Sequence, residues 1–263
     1  MDLGLRNKVA LVAAASKGLG KAVALGLARE GAHVAIFSRD RARIETAAKE
    51  INAATGAQVL ALVADAMRLD DVQRAVDETV KNFGTLHIVV TNAGGPPTGE
   101  FVTLTDEQWQ TAVDLTLMSA VRLSRAAIPH MQKQNWGRIL HLGSLTIKQP
   151  YENLMLSNSI RAAVLGLAKT QANELAKYGI LVNMVSPGVI ETDRVVQLME
   201  SRAKRNGTTA REEYALAENK VPLGRVGQTE EFANVVVFLA SERASFITGA
   251  HLIVDGGETQ TPF

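Results

Sequence analysis

The sequence predicts an α/β fold: a single doubly wound parallel sheet of about seven strands with helices on both faces. Three observations predict it. Apolar runs of strand length alternate with segments of helical period along almost the whole chain. The strand-length runs are apolar at nearly every position, as in strands covered on both faces. No linker interrupts the alternation, so residues 1–263 read as one domain. Right-handed crossovers place the strands in the order 3-2-1-4-5-6, with the final strand at the edge.

The elements follow in order. Val9–Ala14 is a continuous apolar run bounded by Lys8 and the Ser16–Gly20 turn, and reads as the first strand. Gly18–Glu30 is the helix after it. His33–Phe37 is the second strand, and Asp40–Ala54 a helix with Asp40 as its N-cap. Val59–Val63, Leu69–Phe83 and Leu86–Thr91 continue as strand, helix and strand, ending in the Gly/Pro-rich loop Gly94–Gly99. Thr105 and Gln108 have capping-box spacing and open a helix that runs to about Met131. Arg138–Leu142 is the fifth strand, Leu154–Lys177 a long helix and Ile180–Val185 the sixth strand. Glu230–Ala240 and His251–Val254 close the chain as helix and strand. One stretch breaks the rhythm. Residues 191–220 carry twelve charged residues, six of each sign, inserted where such sheets bind ligands. This insertion reads as a substrate lid, with a solvated helical excursion as the plain alternative.

Composition removes several function classes. The hydrophobic fraction of 46% with a formal charge of +1 is wrong for a disordered chain. Without cysteine there is neither a disulfide framework nor a thiolate metal site. The near-zero charge offers no broad handle for nucleic acid or acidic lipid, so neither partner is expected. No run approaches the ~18–20 apolar residues of a membrane helix. A cytoplasmic location and a small-molecule substrate are the expectation.

The first strand leads into Ala13-Ala14-Ala15-Ser16-Lys17-Gly18-Leu19-Gly20. A strand, a turn of small residues and a helix start bring backbone N–H groups and a helix dipole to one point, which is an anion site. Further on stand Thr91-Asn92-Ala93-Gly94, Ser144, Pro187-Gly188-x-x-x-Thr192 and Val254-Asp255-Gly256-Gly257. In order and spacing these resemble the short-chain dehydrogenase/reductase family, and the likeness covers essentially the whole chain. It is similar to the branch with 3-oxoacyl-carrier-protein reductases and glucose dehydrogenases. The resemblance implies the doubly wound, Rossmann-like sheet already argued, and hydride transfer between a nicotinamide cofactor and an alcohol or carbonyl.

The resemblance also implies where the cofactor lies. Ser16, Lys17, Gly18, Leu19 and Gly20 would hold its phosphates. The family's turn usually has Thr-Gly where this chain has Ala13-Ala14, so an additional Cβ stands close to the cofactor. Arg39 follows the second strand, where an NAD-specific member places an acid on the ribose. Ser38-Arg39 with Lys17 suits a 2′-phosphate instead, which favours NADP over NAD. Asp65 and Ala66 match the adenine contact, Asn92, Ala93 and Gly94 the ribose stretch, and Pro187, Gly188, Ile190 and Thr192 the nicotinamide-side loop.

The catalytic slots depart from the family. Its chemistry uses a serine, a tyrosine thirteen residues later, a lysine four beyond that, and an asparagine in the preceding long helix. Here Ser144 fits the serine slot, but the others fall on Ser157, Arg161 and Thr116. A tyrosine titrates near ~10, within reach of a neighbouring cation; a serine is far less acidic. Arg161 can offer donors to the ribose but stays charged and relays no proton. The chain's three tyrosines are Tyr151, Tyr178 and Tyr214, and none fills the slot. Tyr151 reads first as a loop residue packing beside Pro150, and second as a surrogate acid. His141 reads as a satisfied core histidine.

Other chemistries are absent. The histidines lack metal-ligand spacing, no hydrolase elbow surrounds Ser144, and no phosphate-loop motif ends in Gly-Lys-Ser/Thr. Pro129 and Asn173 stand where carrier-protein reductases place arginines, so carrier docking is not expected. Two functions remain open: an NADP-linked oxidoreductase with a remodelled proton-transfer site, and a non-catalytic NADP(H)-binding protein. The resemblance further implies a homo-tetramer or homo-dimer, with Ala162, Ala163 and Gly166 small enough for close helix packing.

Overall fold

The computed structural model describes residues 1–261. One parallel sheet runs through the molecule in the order β3-β2-β1-β4-β5-β6-β7. The strands are β1 (Val9–Ala13), β2 (His33–Ser38), β3 (Val59–Val63), β4 (Ile88–Thr91), β5 (Gly137–Leu142), β6 (Ile180–Pro187) and β7 (His251–Val254). This is the order the sequence predicts, with the last strand beside β6 at the edge. Every residue of β1, β4 and β5 is buried, whereas the edge strands β3 and β7 are only partly covered.

The period-two alternation of a strand divides the core into two layers. Ala10 and Val12 face α1 (Gly18–Arg29), α2 (Arg41–Thr55) and α9 (Thr229–Ala240), through Ala24, Leu27, Ile44, Phe232 and Val236. Val9, Leu11 and Ala13 face α3 (Leu69–Phe83), α5 (Ser119–Lys133) and α6 (Met155–Leu175), through Val72, Val76, Leu123, Met131 and Ala168. Both faces are thus covered by helices, which is why the strands lack polar alternation.

Local signals set many boundaries. The Asp40 carboxylate accepts the Arg43 N–H and starts α2. Gly56 and Gly84 end α2 and α3 in the left-handed conformation. Thr105 and Gln108 form the expected capping box on α4 (Asp106–Ala112).

Two differences from the sequence expectation, in the long helix and in the strand ends, have physical causes. The helix expected to run unbroken to Met131 passes through a π-helical stretch, Val113–Met118, between α4 and α5. Just beyond it, the Ser119 hydroxyl donates to the Leu115 carbonyl at 2.5 Å, as hydroxyls do when they compete with helix backbone bonds. The fourth strand starts at Ile88 instead of Leu86, and the sixth continues to Pro187, because a parallel ladder ends where its neighbour ends. The insertion at 191–220 folds as two helices, α7 (Asp193–Asn206) and α8 (Ala210–Glu218).

Candidate functional site

The C-terminal ends of the strands open onto a cavity of about 780 Å³, the position at which doubly wound sheets bind ligands. Ser16, Lys17, Gly18, Leu19, Arg39, Asp65, Ala66, Asn92, Ala93 and Gly94 line it. So do Ser144, Ser157, Arg161, Pro187, Gly188, Ile190 and Thr192. Residues expected to act together thus meet at one place, although they are scattered from β1 to α7. Two expected residues, Gly20 and Thr116, do not line the cavity.

The turn after β1 shapes one wall. Gly18 adopts φ +57°, which suits glycine. Ala14 adopts φ +48°, a left-handed conformation that disfavours a residue with a Cβ. Gly20 packs the helix start against this turn: a Cβ there would stand 2.6 Å from the Ala14 carbonyl oxygen. No side chain caps α1 and its first turn holds no acid, so its N-terminal N–H groups remain free for an anion. Asn92 Nδ2 donates to the Ala14 carbonyl at 3.4 Å and ties the loop after β4 to the turn. A Cβ on Gly94 would meet nothing within 4 Å, which leaves that side open.

The basic end differs in part from expectation. Arg39 is exposed beside Ser38 and makes no ion pair among the described residues. Lys17, expected to serve the same phosphate, instead pairs with Asp193 at the start of α7 at 2.5 Å. Its hydrogen bond and charge hold the Asp193 carboxyl below the usual carboxylate range. Arg43 also lines the cavity and pairs with Asp40 at 3.3 Å. Asp65 Oδ1 accepts the Met67 N–H at 2.9 Å, which orients the carboxylate after β3.

At the β5–β6 end, Ser144 Oγ accepts the Thr146 N–H at 3.2 Å, leaving its hydroxyl proton free. Ser157 lies 3.3 Å from the Thr146 hydroxyl. Arg161 donates to the carbonyls of Leu142 and Gly143 at 3.0 and 3.1 Å. Burial, with a lesser push from Arg194, lowers its pKa to about 10, so it is still a cation at neutral pH. Thr116 lies buried in the π-helical stretch, and its hydroxyl has no hydrogen-bond partner among the described residues. His141 is fully buried between the Thr91 hydroxyl and Gln171, as a core histidine should be.

The motifs leave several members of the cavity wall unmarked, Arg43, Thr111 and Glu258 among them. Glu258 is buried there, and the Tyr151 hydroxyl donates to its Oε1. Tyr151 therefore lines the cavity as well as packing in its loop. The Asp255 carboxylate accepts the N–H groups of Gly257 and Thr259, at 3.0 and 2.7 Å, and this turn carries Glu258 inward. Gly188 packs on that turn so closely that a Cβ would stand 2.5 Å from the Asp255 Cβ. The Val254-Asp255-Gly256-Gly257 motif was the signal: the residue after it follows the turn into the cavity.

Among the described residues no group of potential metal ligands occurs, and no helix is long and apolar enough to cross a membrane.

Residues 13–259 match the family described as enoyl-(acyl carrier protein) reductase. The chain belongs to the short-chain dehydrogenase/reductase family. Among its relatives in the family is dehydrogenase/reductase SDR family member 4 of Oryctolagus cuniculus. It is 34% identical over 254 residues, covering 96% of this chain and 94% of that protein. The 3-oxoacyl-[acyl-carrier-protein] reductase FabG of Pseudomonas aeruginosa is 36% identical over 255 residues, covering 97% and 98%. L-sorbose reductase from Gluconobacter frateurii, solved with NADPH and L-sorbose, superposes with a TM-score of 0.94 at 34% identity. The match covers 99% of this chain and 100% of that one. The seven-stranded parallel sheet of this short-chain dehydrogenase/reductase is therefore the family's fold.

Proposed function

We propose that this chain is an NADP-dependent oxidoreductase that moves a hydride between the nicotinamide and a small alcohol or carbonyl, at a site whose proton-transfer residues depart from the family's. The carrying observation is one continuous cavity that joins the uncapped start of α1, the free cation Arg39 and the free hydroxyl of Ser144. These residues fit the cofactor. The α1 N–H groups suit a pyrophosphate, Ser38 and Arg39 a 2′-phosphate, and Asp65 with Ala66 an adenosine. Asn92, Ala93 and Gly94 would border the ribose, and Pro187, Gly188, Ile190 and Thr192 the nicotinamide. Bound there, the nicotinamide would give or take the hydride. Ser144 would hold the substrate oxygen by its hydroxyl proton. Ser157 and Arg161 stand in the slots of the usual tyrosine and lysine, with Thr116 in that of the asparagine. The match to an NADPH-bound reductase supports the cofactor choice.

The insertion 191–220 is proposed to act as the lid, since Arg194, Leu198, Met199 and Arg202 of α7 and Ala217 of α8 border the cavity. A homo-tetramer or homo-dimer is part of the same reading; Ala162, Ala163 and Gly166 lie exposed on α6.

A non-catalytic NADP(H)-binding protein is the second reading, favoured by one observation: Arg161 donates to the Leu142 and Gly143 carbonyls at the end of β5, and Ser157 lies beside Thr146. NADPH at millimolar concentration is expected to raise the melting temperature more than NADH does. If neither raises it, both readings fail. Turnover of NADPH with ketones, quinones or 3-oxoacyl thioesters, abolished by Ser144→Ala, supports the first. An inactive protein that gains activity on Thr116→Asn, Ser157→Tyr and Arg161→Lys together supports the second.

A further inference from the structure

The family's proton path is missing from this chain, yet the same cavity holds another phenol. Tyr151 sits in the loop between Ser144 and Ser157 and lines the cavity with both. Its hydroxyl donates to Glu258 Oε1, across 107 residues of sequence. Glu258 is only 4% exposed, and its other oxygen, Oε2, is buried with no hydrogen-bond partner among the described residues. A buried carboxylate with an unused acceptor is costly to maintain for packing alone. Its place is also informative. A dinucleotide with its phosphates at α1 and a 2′-phosphate at Arg39 must extend its other half toward β5 and β6. Glu258 Oε2 lies at that end, 3.3 Å from where a Cβ on Gly188 would stand.

We propose that Tyr151 and Glu258 form the proton relay of this site, with Tyr151 meeting the substrate oxygen and Glu258 accepting the proton behind it. The inference rests on the reading of the chain as a hydride-transfer enzyme. In alcohol oxidation the substrate C–H bond breaks and its electron pair leaves with the hydrogen as hydride, to the oxidised nicotinamide. The O–H bond breaks and its proton passes to the Tyr151 oxygen. The phenolic proton of Tyr151 passes to the Glu258 carboxylate and from there to solvent. The products are a carbonyl, the reduced cofactor and one proton. Reduction takes the same proton back along the same path.

The phenol stays neutral throughout such a relay. That agrees with its surroundings: burial first, then the Glu258 hydrogen bond and charge, push Tyr151 well above the ordinary tyrosine value. Arg202 of α7, 5.9 Å from the ring centre, opposes that push. A tyrosine used as the family uses it would need the opposite environment, a cation that favours phenolate.

The test uses the full chain with Tyr151→Phe, Glu258→Gln and Glu258→Ala. Ultraviolet difference titration of the cofactor-free protein reads the pair without any turnover. Among three tyrosines, one is expected to resist ionisation in the wild type, to ionise at lower pH in Glu258→Gln, and to be missing in Tyr151→Phe. Turnover is read with NADPH and three probes: L-sorbose, a 3-oxoacyl thioester and an aromatic quinone. Tyr151→Phe and Glu258→Gln are each expected to lower kcat by about 10²–10⁴-fold with the KM for NADPH unchanged. Formate, a small carboxylate, is expected to restore part of the kcat lost in Glu258→Ala. A purely structural clamp would not respond to formate. Wild-type kcat in either conservative variant, or no formate rescue, overturns the relay and leaves the hydride-transfer reading standing. A wild type that binds NADPH but turns over none of the probes overturns the relay and favours the non-catalytic reading. A wild type that does not bind NADPH overturns the hydride-transfer reading itself.

Discussion

Arg161 on α6 donates to the carbonyl oxygen of Leu142 at 3.0 Å and locks the helix to the end of β5. The same guanidinium nitrogen reaches the Gly143 carbonyl at 3.1 Å. Arg161→Ala would leave both acceptors without this partner. A loss of about 1–3 kcal/mol is expected, read as a lower urea midpoint with an unchanged slope. Arg161→Lys should retain part of it, because an ammonium can still donate to a carbonyl.

Ala14 holds a left-handed backbone with φ +48° and borders the cavity. For an L-residue this conformation costs about 1–2 kcal/mol. Ala14→Gly removes that strain but loosens the unfolded chain, which offsets about 0.4–1 kcal/mol. A net gain of between about 0 and 1.6 kcal/mol is expected in denaturant titration. The same variant should also tighten NADPH binding, by removing a methyl group from the phosphate turn.

Arg39 and Lys17 are set apart by Asp193. Arg39→Ala is expected to weaken NADPH binding about 10–100-fold, the worth of a charged hydrogen bond, and to leave NADH nearly unchanged. Asp193→Asn releases Lys17 toward the cavity and should tighten NADPH. It should barely alter stability, since both partners are exposed and water screens the pair. Titration calorimetry with both cofactors at two salt concentrations checks the set.

His141 gives the fold a pH dependence. Desolvation lowers its pKa from 6.5 to about 4, so on acidification the unfolded chain takes up a proton that the folded chain refuses. The stabilisation is complete above about pH 6.5 and is lost as the pH falls toward about 4. For this one group it amounts to about 3 kcal/mol. His87 and His251 are lowered by burial in the same direction, each to about 4. The urea midpoint should therefore fall steeply between pH 6.5 and 4. His141→Gln should start less stable and show a shallower fall.

Features that depend on near neighbours were legible in the sequence. The Asp40 cap, the Thr105–Gln108 capping box and the apolar strands each rest on residues a few positions apart. Much of the cavity wall was legible through the motifs, although Gly20 and Thr116 do not line it and Glu258 does. The π-helical stretch at Val113–Met118 was not, because its composition is that of an ordinary helix. Lys17 read as a phosphate ligand because its partner, Asp193, is 176 residues away.

Hydrophobic pattern and chain order by themselves determined the sheet, its strand order and its two helical layers. The central strands bury both faces, and right-handed crossovers leave a single arrangement. The same residues showed that no tyrosine stands at position 157. Only the tertiary structure decided what surrounds that position. Folding brings Tyr151 onto Glu258 from the far end of the chain, and turns Arg161 onto the Leu142 and Gly143 carbonyls. Those pairings depend on burial and on the reach of side chains between distant elements, which no local spacing encodes.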